Sequence, residues 1–265
     1  MNTSSVPSIR ASGVLLDQNA FVTGAGSGIG RAIALELARQ GARVACCGRR
    51  KERLEETSSL IQADGGIALA VAADITEQEQ VRRAVQEVLT QWDGIHILFN
   101  NAGRFDSIAG VHEADVSEWW RDVEVNLKGA FLPIREILPG MMARDKGVII
   151  NMDGGRPVGG SGYACGKAGL MELTRILNQE LKVQNSNVLV YSAGPGLVRT
   201  EMTEQQAYSE AGMRWIPSTH ESFESGKVRA PEEIALATIE LLRVAAPQNS
   251  GRNFNPTTDF STFAA

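Results

Sequence analysis

The order of apolar and amphipathic segments constrains this chain most. From residue 19 to about residue 254, short and almost continuously apolar runs alternate with longer segments of helical periodicity. Runs that are apolar on both faces are typical of strands buried inside a parallel sheet. Because strand–helix alternation requires right-handed crossovers, the sequence predicts an α/β fold with a doubly wound parallel sheet and helices on both faces.

The pattern places the individual elements. Predicted strands cover residues 19–23, 43–47, 67–73, 95–99, 148–152 and 188–192, with a short last strand at 253–254. Predicted helices cover residues 28–40, 51–64, 77–92, 117–143, 161–183 and 231–246. Pro133 and Pro139 predict a kink or an early end in the fourth helix.

The chain is predicted to form a single domain at 15–265 behind a flexible N-terminal tail at 1–14. A length of 265 residues suits one α/β domain. The segment 200–228 breaks the alternation and is rich in Met, Ser and Glu. It is predicted to be either a substrate lid or an ordinary surface excursion.

Composition limits the kinds of partner and the compartment that are expected for this chain. A net charge of −5 gives no basic field for nucleic acid, and no run approaches the roughly 18 apolar residues of a membrane span. Three cysteines cannot all pair, so reduced thiols in a cytoplasmic protein are expected. No metal site is predicted, because Cys46 and Cys47 lie in an apolar, strand-like run.

A glycine-rich turn joins the first predicted strand to the first predicted helix. Its sequence over residues 23–30 is Thr-Gly-Ala-Gly-Ser-Gly-Ile-Gly. Glycines let backbone N–H groups approach a pyrophosphate, and the helix N-terminus adds partial positive charge. A Walker A loop is excluded because Arg31 and Ala32 follow, rather than Lys and Ser/Thr. The turn predicts a Rossmann-like dinucleotide cradle made by Gly24, Ser27, Gly28, Ile29 and Gly30.

The end of the second predicted strand bears on the type of dinucleotide. An NAD site usually has an Asp or Glu there for the ribose 2′-hydroxyl, whereas this chain has Arg49 and Arg50. Two guanidinium groups suit a 2′-phosphate, so NADP(H) is favoured over NAD(H). Alternatively, both arginines belong to a solvated helix of mixed charge. Asp74 is predicted either to bind an adenine amino group or to cap the helix near Thr76.

Further motifs follow the cradle near the ends of later strands. They are Asn100-Asn101-Ala102-Gly103, Asn126 in Val-Asn-Leu-Lys-Gly-Ala-Phe, the pair Tyr163 and Lys167, and Pro195-Gly196 ahead of Val198 and Thr200. Together with the cradle, this ordered set resembles the classical short-chain dehydrogenase/reductase family over about residues 15–254. The resemblance implies that a nicotinamide cofactor is bound by the cradle, by these motifs and by Arg49, Arg50, Asp74 and Ile75.

Tyr163 and Lys167 are four residues apart in a predicted helix, so their side chains share one face. A free tyrosine has a pKa near 10, and a neighbouring ammonium favours the phenolate and lowers that value. The resemblance implies that Tyr163 exchanges a proton with the substrate oxygen and that Lys167 also holds the nicotinamide ribose. It also implies that Asn126 organises a water that relays protons to Lys167. Without the cradle, a surface Tyr–Lys pair and a capping Asn would explain these residues.

One residue of the family pattern is absent. The family places a serine after the fifth strand to bind the substrate oxygen, whereas this chain has Asp153 and then Gly154 at the serine position. Three hypotheses stay open. Ser161, whose ordinary role is helix N-cap, supplies the hydroxyl; Asp153 acts in its neutral form; or the protein binds cofactor and catalyses weakly. Loss of one such donor costs about 10²–10³ in rate, which weakens an enzyme without abolishing turnover.

The leading functional prediction is an NADP(H)-dependent oxidoreductase that moves hydride between nicotinamide and a small ketone or secondary alcohol. The alternatives are a nucleotide-sensing or scaffold protein and an enzyme that uses Tyr163 for non-redox proton transfer. Loop residues expected near the substrate are Arg104, Phe105, Arg156, Met202, Met213 and Trp215. Arg104 or Arg156 would suit an anionic group. The resemblance also implies a homo-oligomer, most often a tetramer packed through 117–143 and 161–183.

Overall fold

The computed structural model describes residues 13–263, so all but the last two residues of the predicted tail lie outside it. A single seven-stranded sheet has the order β3-β2-β1-β4-β5-β6-β7, and every neighbouring pair of strands is parallel. The strands are β1 (Asn19–Thr23), β2 (Arg43–Gly48), β3 (Ile67–Ala72), β4 (Ile97–Asn100), β5 (Gly147–Met152), β6 (Val188–Ala193) and β7 (Asn253–Phe254). The predicted α/β class and doubly wound sheet are confirmed.

Helices cover both faces of the sheet. They are α1 (Gly28–Arg39), α2 (Lys51–Ala63), α3 (Gln78–Gln91), α4 (Val116–Val123), α5 (Gly129–Ala143), α6 (Ser161–Val183), α7 (Glu201–Tyr208), α8 (Glu210–Trp215), α9 (Pro217–Glu224) and α10 (Pro231–Val244). One core includes Leu37 of α1 and Ile239 of α10, and the core on the other face includes Val85 of α3 and Leu177 of α6. Apart from the segment 117–143, the predicted ranges agree with the structure to within two residues at each end.

Strand residues alternate between the two cores. Phe21 packs in the core beside α3, α5 and α6, whereas Val22 packs in the core beside α1, α2 and α10. Ile149 packs in the same core as Phe21, and Ile150 packs in the same core as Val22. All four side chains are buried, because successive residues of a strand point to opposite faces of a sheet that is covered twice. Burial of each such side chain contributes about 1.5–3 kcal/mol.

A π-helical turn, Glu124–Lys128, separates α4 from α5. Pro133 and Pro139 both lie inside α5, which continues to Ala143, so the predicted early end at these prolines is wrong. The break lies at Asn126, whose Nδ2 donates to the carbonyl of Asp122 at 2.7 Å. A side chain that enters the helical hydrogen-bond ladder in this way accounts for the wider turn.

The segment 200–228 forms the three short helices α7, α8 and α9. Gln206 of α7 donates its Nε2 to the carbonyl of Phe105 at 2.7 Å, and both residues are buried. Trp215, at the end of α8, packs so closely on Gly159 that a Cβ added there would lie 2.6 Å from the Trp215 Cβ. These helices therefore lie against the loops that follow β4 and β5.

The hydropathy of the helices, possible metal ligands and the cysteines can be described for the same residues. Within residues 13–263, no helix has both the length and the apolar character needed to cross a membrane. In the same part of the chain, no three His, Cys, Asp or Glu side chains are grouped to hold a metal ion. None of the three cysteines is in a disulfide. Burial raises the pKa of Cys46 to about 11, so this thiol stays protonated and packs as a small apolar side chain.

Candidate active site

Sheet topology brings the predicted site residues to one edge. All strands are parallel, so their carboxyl ends lie on the same side of the sheet. The chain builds outward from β1 to β3 and then crosses back to β4 beside β1. Ligands of doubly wound folds bind in the crevice that such a reversal of strand order leaves beyond the carboxyl ends.

The glycine-rich turn fits a pyrophosphate. Gly24 has φ 68° and Gly28 has φ 51°, in the left-handed region that favours glycine. Gly30 has no room for a side chain, because a Cβ there would lie 2.2 Å from the carbonyl oxygen of Gly24. The backbone is thus open for close approach of a ligand at the N-terminus of α1, which carries partial positive charge.

The two asparagines at the end of β4 have structural partners. Asn101 donates its Nδ2 to the carbonyl of Thr23 at 3.0 Å and so holds the start of the cradle. The Thr23 hydroxyl accepts the backbone N–H of Asn101 and of Ala102, each at 3.1 Å. Asn100 instead donates to Asn151 Oδ1 at 2.9 Å, between β4 and β5. Thr23 is not among the predicted site residues, although its place at the end of β1, ahead of the glycine-rich turn, is a signal that the sequence contains.

Arg49 and Arg50 stand at the end of β2, and both are exposed. Arg50 Nη2 lies 3.5 Å from Ser27 Oγ, so this guanidinium is beside the cradle. The nearest carboxylate to Arg50 is that of Glu201 on α7, with Oε2 3.8 Å from Nη1. A ligand with a 2′-phosphate fits this arrangement, because neither Arg residue is committed to a buried partner.

Asp74 forms a local turn with Thr76 ahead of α3, and the predicted helix cap is wrong because the N-cap of α3 is Glu77. Its Oδ1 accepts the backbone N–H of Thr76 at 2.9 Å and the Thr76 hydroxyl at 2.7 Å, and its Oδ2 pairs with Arg121 at 3.2 Å. Burial works to raise the Asp74 pKa, but the bonds from Thr76 and the charge of Arg121 outweigh it and lower the pKa. Ile75, next along the chain, is buried against Gly129.

The loop after β6 lies over the cradle from the other side. Pro195 is buried, and Gly196 has φ 73°. Val198 pairs with Arg229 in an isolated bridge. Thr200 caps α7, accepting the backbone N–H of Thr203 at 3.2 Å. A Cβ added at Gly28 would lie 3.1 Å from Thr200 Cγ2, so this threonine borders the site predicted for phosphates.

Lys167, Asn126 and Gly103 converge at the end of β5. Lys167 is 3% exposed, and its Nζ donates to the carbonyl of Met152 at 2.7 Å. A Cβ added at Gly103 would lie 2.8 Å from Asn126 Oδ1 and 3.6 Å from Lys167 Nζ. Lys167 Nζ is also 5.8 Å from the centre of the Tyr163 ring, on the same helix. The family residues predicted to handle the proton are therefore neighbours.

Burial sets the protonation of the Tyr163–Lys167 pair. It raises the pKa of Tyr163 to about 12, and the Asp153 carboxylate acts in the same direction. It lowers the pKa of Lys167 to about 8, so the ammonium form is still present at neutral pH. The expectation that the ammonium lowers the Tyr163 pKa is not met, because loss of water has the larger effect. Tyr163 is thus a neutral phenol near pH 7 and has a proton to donate.

Phe105 and Gly154 contact the Tyr163 side chain. The Phe105 ring stacks on it, with centroids 4.7 Å apart and an angle of 22° between the planes. A Cβ added at Gly154 would lie 1.8 Å from the Tyr163 hydroxyl. The space that a serine side chain would need at position 154 is therefore occupied by the tyrosine hydroxyl.

Two other candidates are already engaged. The Ser161 hydroxyl accepts the indole N–H of Trp119 at 2.8 Å, and the N-cap of α6 is Gly160, so the N-cap role expected for Ser161 is wrong. Arg104 forms ion pairs with three carboxylates and is largely buried. Those partners are Asp106, Glu118 and Asp122. These carboxylates neutralise the charge of Arg104, which is one of two arginines expected to suit an anionic substrate group. The other, Arg156, is the more exposed of the two.

Comparisons with known proteins agree with this geometry. A family model described as short chain dehydrogenase matches residues 18–211. The chain is 35% identical over 238 residues to a protein named as ketoacyl reductase 1 of the granaticin polyketide synthase of Streptomyces violaceoruber, covering 87% of this chain and 86% of that protein. It is similar to the crystal structure of a variant of the actinorhodin polyketide ketoreductase with NADPH, with a TM-score of 0.81, 29% identity, and coverage of 90% of this chain and 95% of that chain.

A second solved structure, a metagenomic short-chain oxidoreductase in complex with NADP, has a TM-score of 0.73 and 30% identity, with coverage of 92% of this chain and 99% of that chain. The chain therefore belongs to the short-chain dehydrogenase/reductase family of oxidoreductases, as its sequence motifs indicate.

The buried ammonium of Lys167 predicts a stability that depends on pH. The folded-state pKa of about 8 lies below the ordinary lysine pKa of 10.5, so the cost of burying the charge is complete below about pH 8 and fades as the pH rises toward the unfolded value. Lys167→Met removes a penalty of about 3 kcal/mol near pH 7 and loses a hydrogen bond worth about 1 kcal/mol. We expect the variant to be about 2 kcal/mol more stable than wild type near pH 7 and no more stable near pH 10.

Urea unfolding at the two pH values measures this difference. Lys51→Met is the matched control, because Lys51 is exposed and paired only with Glu55; its effect should be small at both values. A Lys167→Met variant whose stability relative to wild type does not change with pH would contradict a lowered pKa of Lys167 in the folded protein.

Proposed function

We propose that the chain is an NADP(H)-dependent reductase that interconverts ketones and secondary alcohols. The observation that carries this proposal is the buried Lys167, with its Nζ bonded to Met152 and next to Gly103, one helical turn from Tyr163. When bound, the nicotinamide supplies hydride to the carbonyl carbon in reduction, or accepts it in oxidation. The side chains of this site handle the accompanying proton.

Tyr163 is the proton donor in the direction of reduction. Its neutral phenol gives the hydroxyl proton to the carbonyl oxygen as negative charge develops there, which yields the alcohol and leaves a phenolate. Lys167, protonated at neutral pH, stabilises that phenolate and offers N–H groups to the nicotinamide ribose. In the direction of oxidation the same groups act in reverse.

Asn126 suits the role of holding a water for proton relay. Its Nδ2 already donates to the carbonyls of Arg104, at 2.5 Å, and Asp122, at 2.7 Å. Its Oδ1 accepts only a long bond from the Arg104 backbone, at 3.4 Å, and faces Gly103 and Lys167. That oxygen therefore has capacity to accept a hydrogen bond from a water beside Lys167.

The proposed substrate is a small molecule that carries a ketone within an acyl chain, as in a ketoacyl group. Relatives named as ketoacyl reductase and polyketide ketoreductase support this class. The helices α7, α8 and α9 act as the lid, because Gln206 and Trp215 fasten them to the loops beside Tyr163. Phe105 forms one wall of the site through its stacking on Tyr163.

Tyr163→Phe tests the proton-transfer role. It removes a single hydroxyl oxygen from a stacked ring, so folding and NADPH binding should persist. We expect turnover of a ketone panel, followed by NADPH absorbance, to fall by about 10²–10⁴ because a general acid contributes rate of that order. Fluorescence titration with NADPH controls for cofactor binding. Turnover equal to that of wild type would rule out Tyr163 as the acid.

The preference for NADP(H) rests on the exposed guanidiniums of Arg49 and Arg50, and on the structures of relatives with NADPH and NADP. Arg50→Ala should weaken NADPH binding by about tenfold or more, since a hydrogen bond to a charged group is worth about 1.5–3 kcal/mol. NADH lacks the 2′-phosphate, so its affinity should not change. Calorimetry with both cofactors measures the two effects.

The control for Arg50→Ala is Arg82→Ala, because Arg82 has comparable exposure on α3 and pairs with Glu79 within its own helix. Equal losses of NADPH and NADH affinity in Arg50→Ala would contradict recognition of a 2′-phosphate.

Gly154 favours a second candidate, a nucleotide-sensing or scaffold protein with weakened catalysis. No serine hydroxyl stands at position 154, and the Ser161 hydroxyl is bonded to Trp119. This candidate predicts NADPH binding without turnover of any panel member. An enzyme that uses the Tyr163 phenol for isomerisation or dehydration would instead act without added nicotinamide.

A second copy of the chain is the proposed partner for the outer face of α4 and α5. Trp120 and Phe131 are exposed there and border an apolar groove of about 620 Å³, which also includes Leu127 and Leu173. Exposed apolar surface of this kind marks interaction sites. The groove lies on the helices through which a family tetramer is expected to pack, and we propose a homotetramer.

Phe131→Asp should shift the protein from tetramer toward smaller species in light scattering at micromolar concentration, because it places a charge in the contact. Leu60→Asp is the control, since Leu60 is exposed on α2 away from this groove. A monomeric wild type, or equal behaviour of the two variants, would refute the proposed contact.

We also propose a cytoplasmic location. Cys46 and Cys47 are adjacent and buried in β2 without a disulfide, and Cys165 is a free, exposed thiol. Unpaired cysteines of this kind are typical of a reducing compartment.

A further inference from the structure

The loop after β5 holds a charged pair beside the reactive tyrosine. Arg156 Nη1 is 3.1 Å from Asp153 Oδ1. The same nitrogen donates to the carbonyl of Gly155 at 3.2 Å and to the carbonyl of Gly154. The guanidinium is therefore fixed against the backbone at the position where the family has its serine.

Gly154 is contacted from two directions. The Arg156 guanidinium bonds to its carbonyl, and the Tyr163 hydroxyl occupies the space that a Cβ would take. The Tyr163 hydroxyl and the Arg156 guanidinium therefore both lie against Gly154. Phe105 covers the Tyr163 ring and limits its movement away from Gly154.

Three charged groups face the Tyr163–Lys167 pair, in addition to the ammonium of Lys167 itself. Asp153 and Arg156 come from the loop after β5, Asp122 comes from α4, and Lys167 itself faces Tyr163 along α6. Asp122 is fully buried and paired with Arg104, so its charge is largely balanced. Asp153 and Arg156 are the remaining pair, and the two act on Tyr163 and Lys167 with opposite sign.

We propose that Arg156, anchored by Asp153, is a positioning residue that supplies positive charge to the Tyr163–Lys167 pair at a site without the serine hydroxyl. Gly154 is then a requirement of the site rather than a lost serine, because a Cβ at this position would collide with the Tyr163 hydroxyl. This inference rests on the proposed reductase function and specifies how the proton donor is supported without the serine.

The physical role of Arg156 is electrostatic. Proton donation leaves a phenolate on Tyr163, and a fixed guanidinium beside Gly154 stabilises that negative charge without reorganisation. Its charge also lowers the pKa of Lys167, whereas the Asp153 carboxylate raises it. The pair therefore tunes the pH at which Lys167 loses its charge and reduction declines.

The first test is the pH profile of ketone reduction by the full chain. In wild type, the rate should fall above about pH 8 as Lys167 deprotonates. We expect Arg156→Ala to lower kcat about tenfold or more, with a smaller change in KM, and to move the falling limb to higher pH by about one unit. Asp153→Asn should move the limb to lower pH, and Arg156→Lys should leave it near the wild-type position.

The control is Arg243→Ala, because Arg243 has almost the same exposure as Arg156 and also pairs with a carboxylate three residues away, that of Glu240. This variant should keep the wild-type profile. The proposal would be overturned if the falling limb of the pH profile did not move to higher pH in Arg156→Ala and to lower pH in Asp153→Asn. A merely structural role of the loop would not shift the two limbs in opposite directions.

A second readout does not depend on turnover. In the cofactor-free chain labelled with ¹³C at lysine Cε, Lys167 is identified by the signal that Lys167→Met removes. Its NMR titration midpoint should rise in Arg156→Ala and fall in Asp153→Asn. If wild type reduces no ketone yet these shifts occur, the reductase function fails while the charge pairing stands. Midpoints that are unchanged in both variants would overturn the pairing.

Gly154→Ser is the decisive substitution for the second half of the inference. The new Cβ displaces the Tyr163 hydroxyl, so we expect turnover to fall rather than to recover, with circular dichroism confirming that the variant folds. Ser161→Ala serves for comparison and should have the smaller effect, because the Ser161 hydroxyl is bonded to Trp119. Turnover in Gly154→Ser above that of wild type would show that glycine is not required.

Discussion

The geometry of the site depends on the hydrogen bond from Lys167 Nζ to the carbonyl of Met152. It ties the second turn of α6 to the end of β5, and in doing so it holds Tyr163, one turn earlier, beside Gly154. Burial of an ammonium group with few polar partners is costly, as the lowered pKa of Lys167 shows. Lys167 therefore destabilises the fold at the carboxyl edge of the sheet. A buried group with a shifted pKa at such a position is typical of a functional site.

The other contacts of the site lead outward from this bond. Asn126 is brought toward Lys167 because its side chain takes a backbone acceptor and opens the π turn between α4 and α5. Phe105 stacks on Tyr163 and accepts a hydrogen bond from Gln206, which joins the tyrosine to the helices over the site. The position of the tyrosine ring is therefore linked to α7 through Phe105.

Most of the fold was predictable because its causes are local. Strands buried on both faces need apolar residues at nearly every position, and the cradle needs glycine where φ is positive or a Cβ does not fit. The errors arose where tertiary contacts decide. The π turn depends on a side-chain amide that competes for the Asp122 carbonyl rather than on Pro133 and Pro139. The Tyr163 pKa depends on burial, which outweighs the charge that sequence spacing places nearby. Arg104 is neutralised by carboxylates that lie up to 18 residues away.

Hydride transfer at a site where Gly154 lies against the Tyr163 hydroxyl is the central claim, and isotope transfer tests it most directly. NADPH carrying deuterium at the reactive position of nicotinamide C4 is incubated with the full chain and a panel of β-ketoacyl esters, and the products are analysed by NMR. The deuterium should appear on the carbinol carbon of the product, with a single configuration. Consumption of a ketone without deuterium at that carbon, or bound NADPH that transfers label to no member of the panel, would contradict the claim.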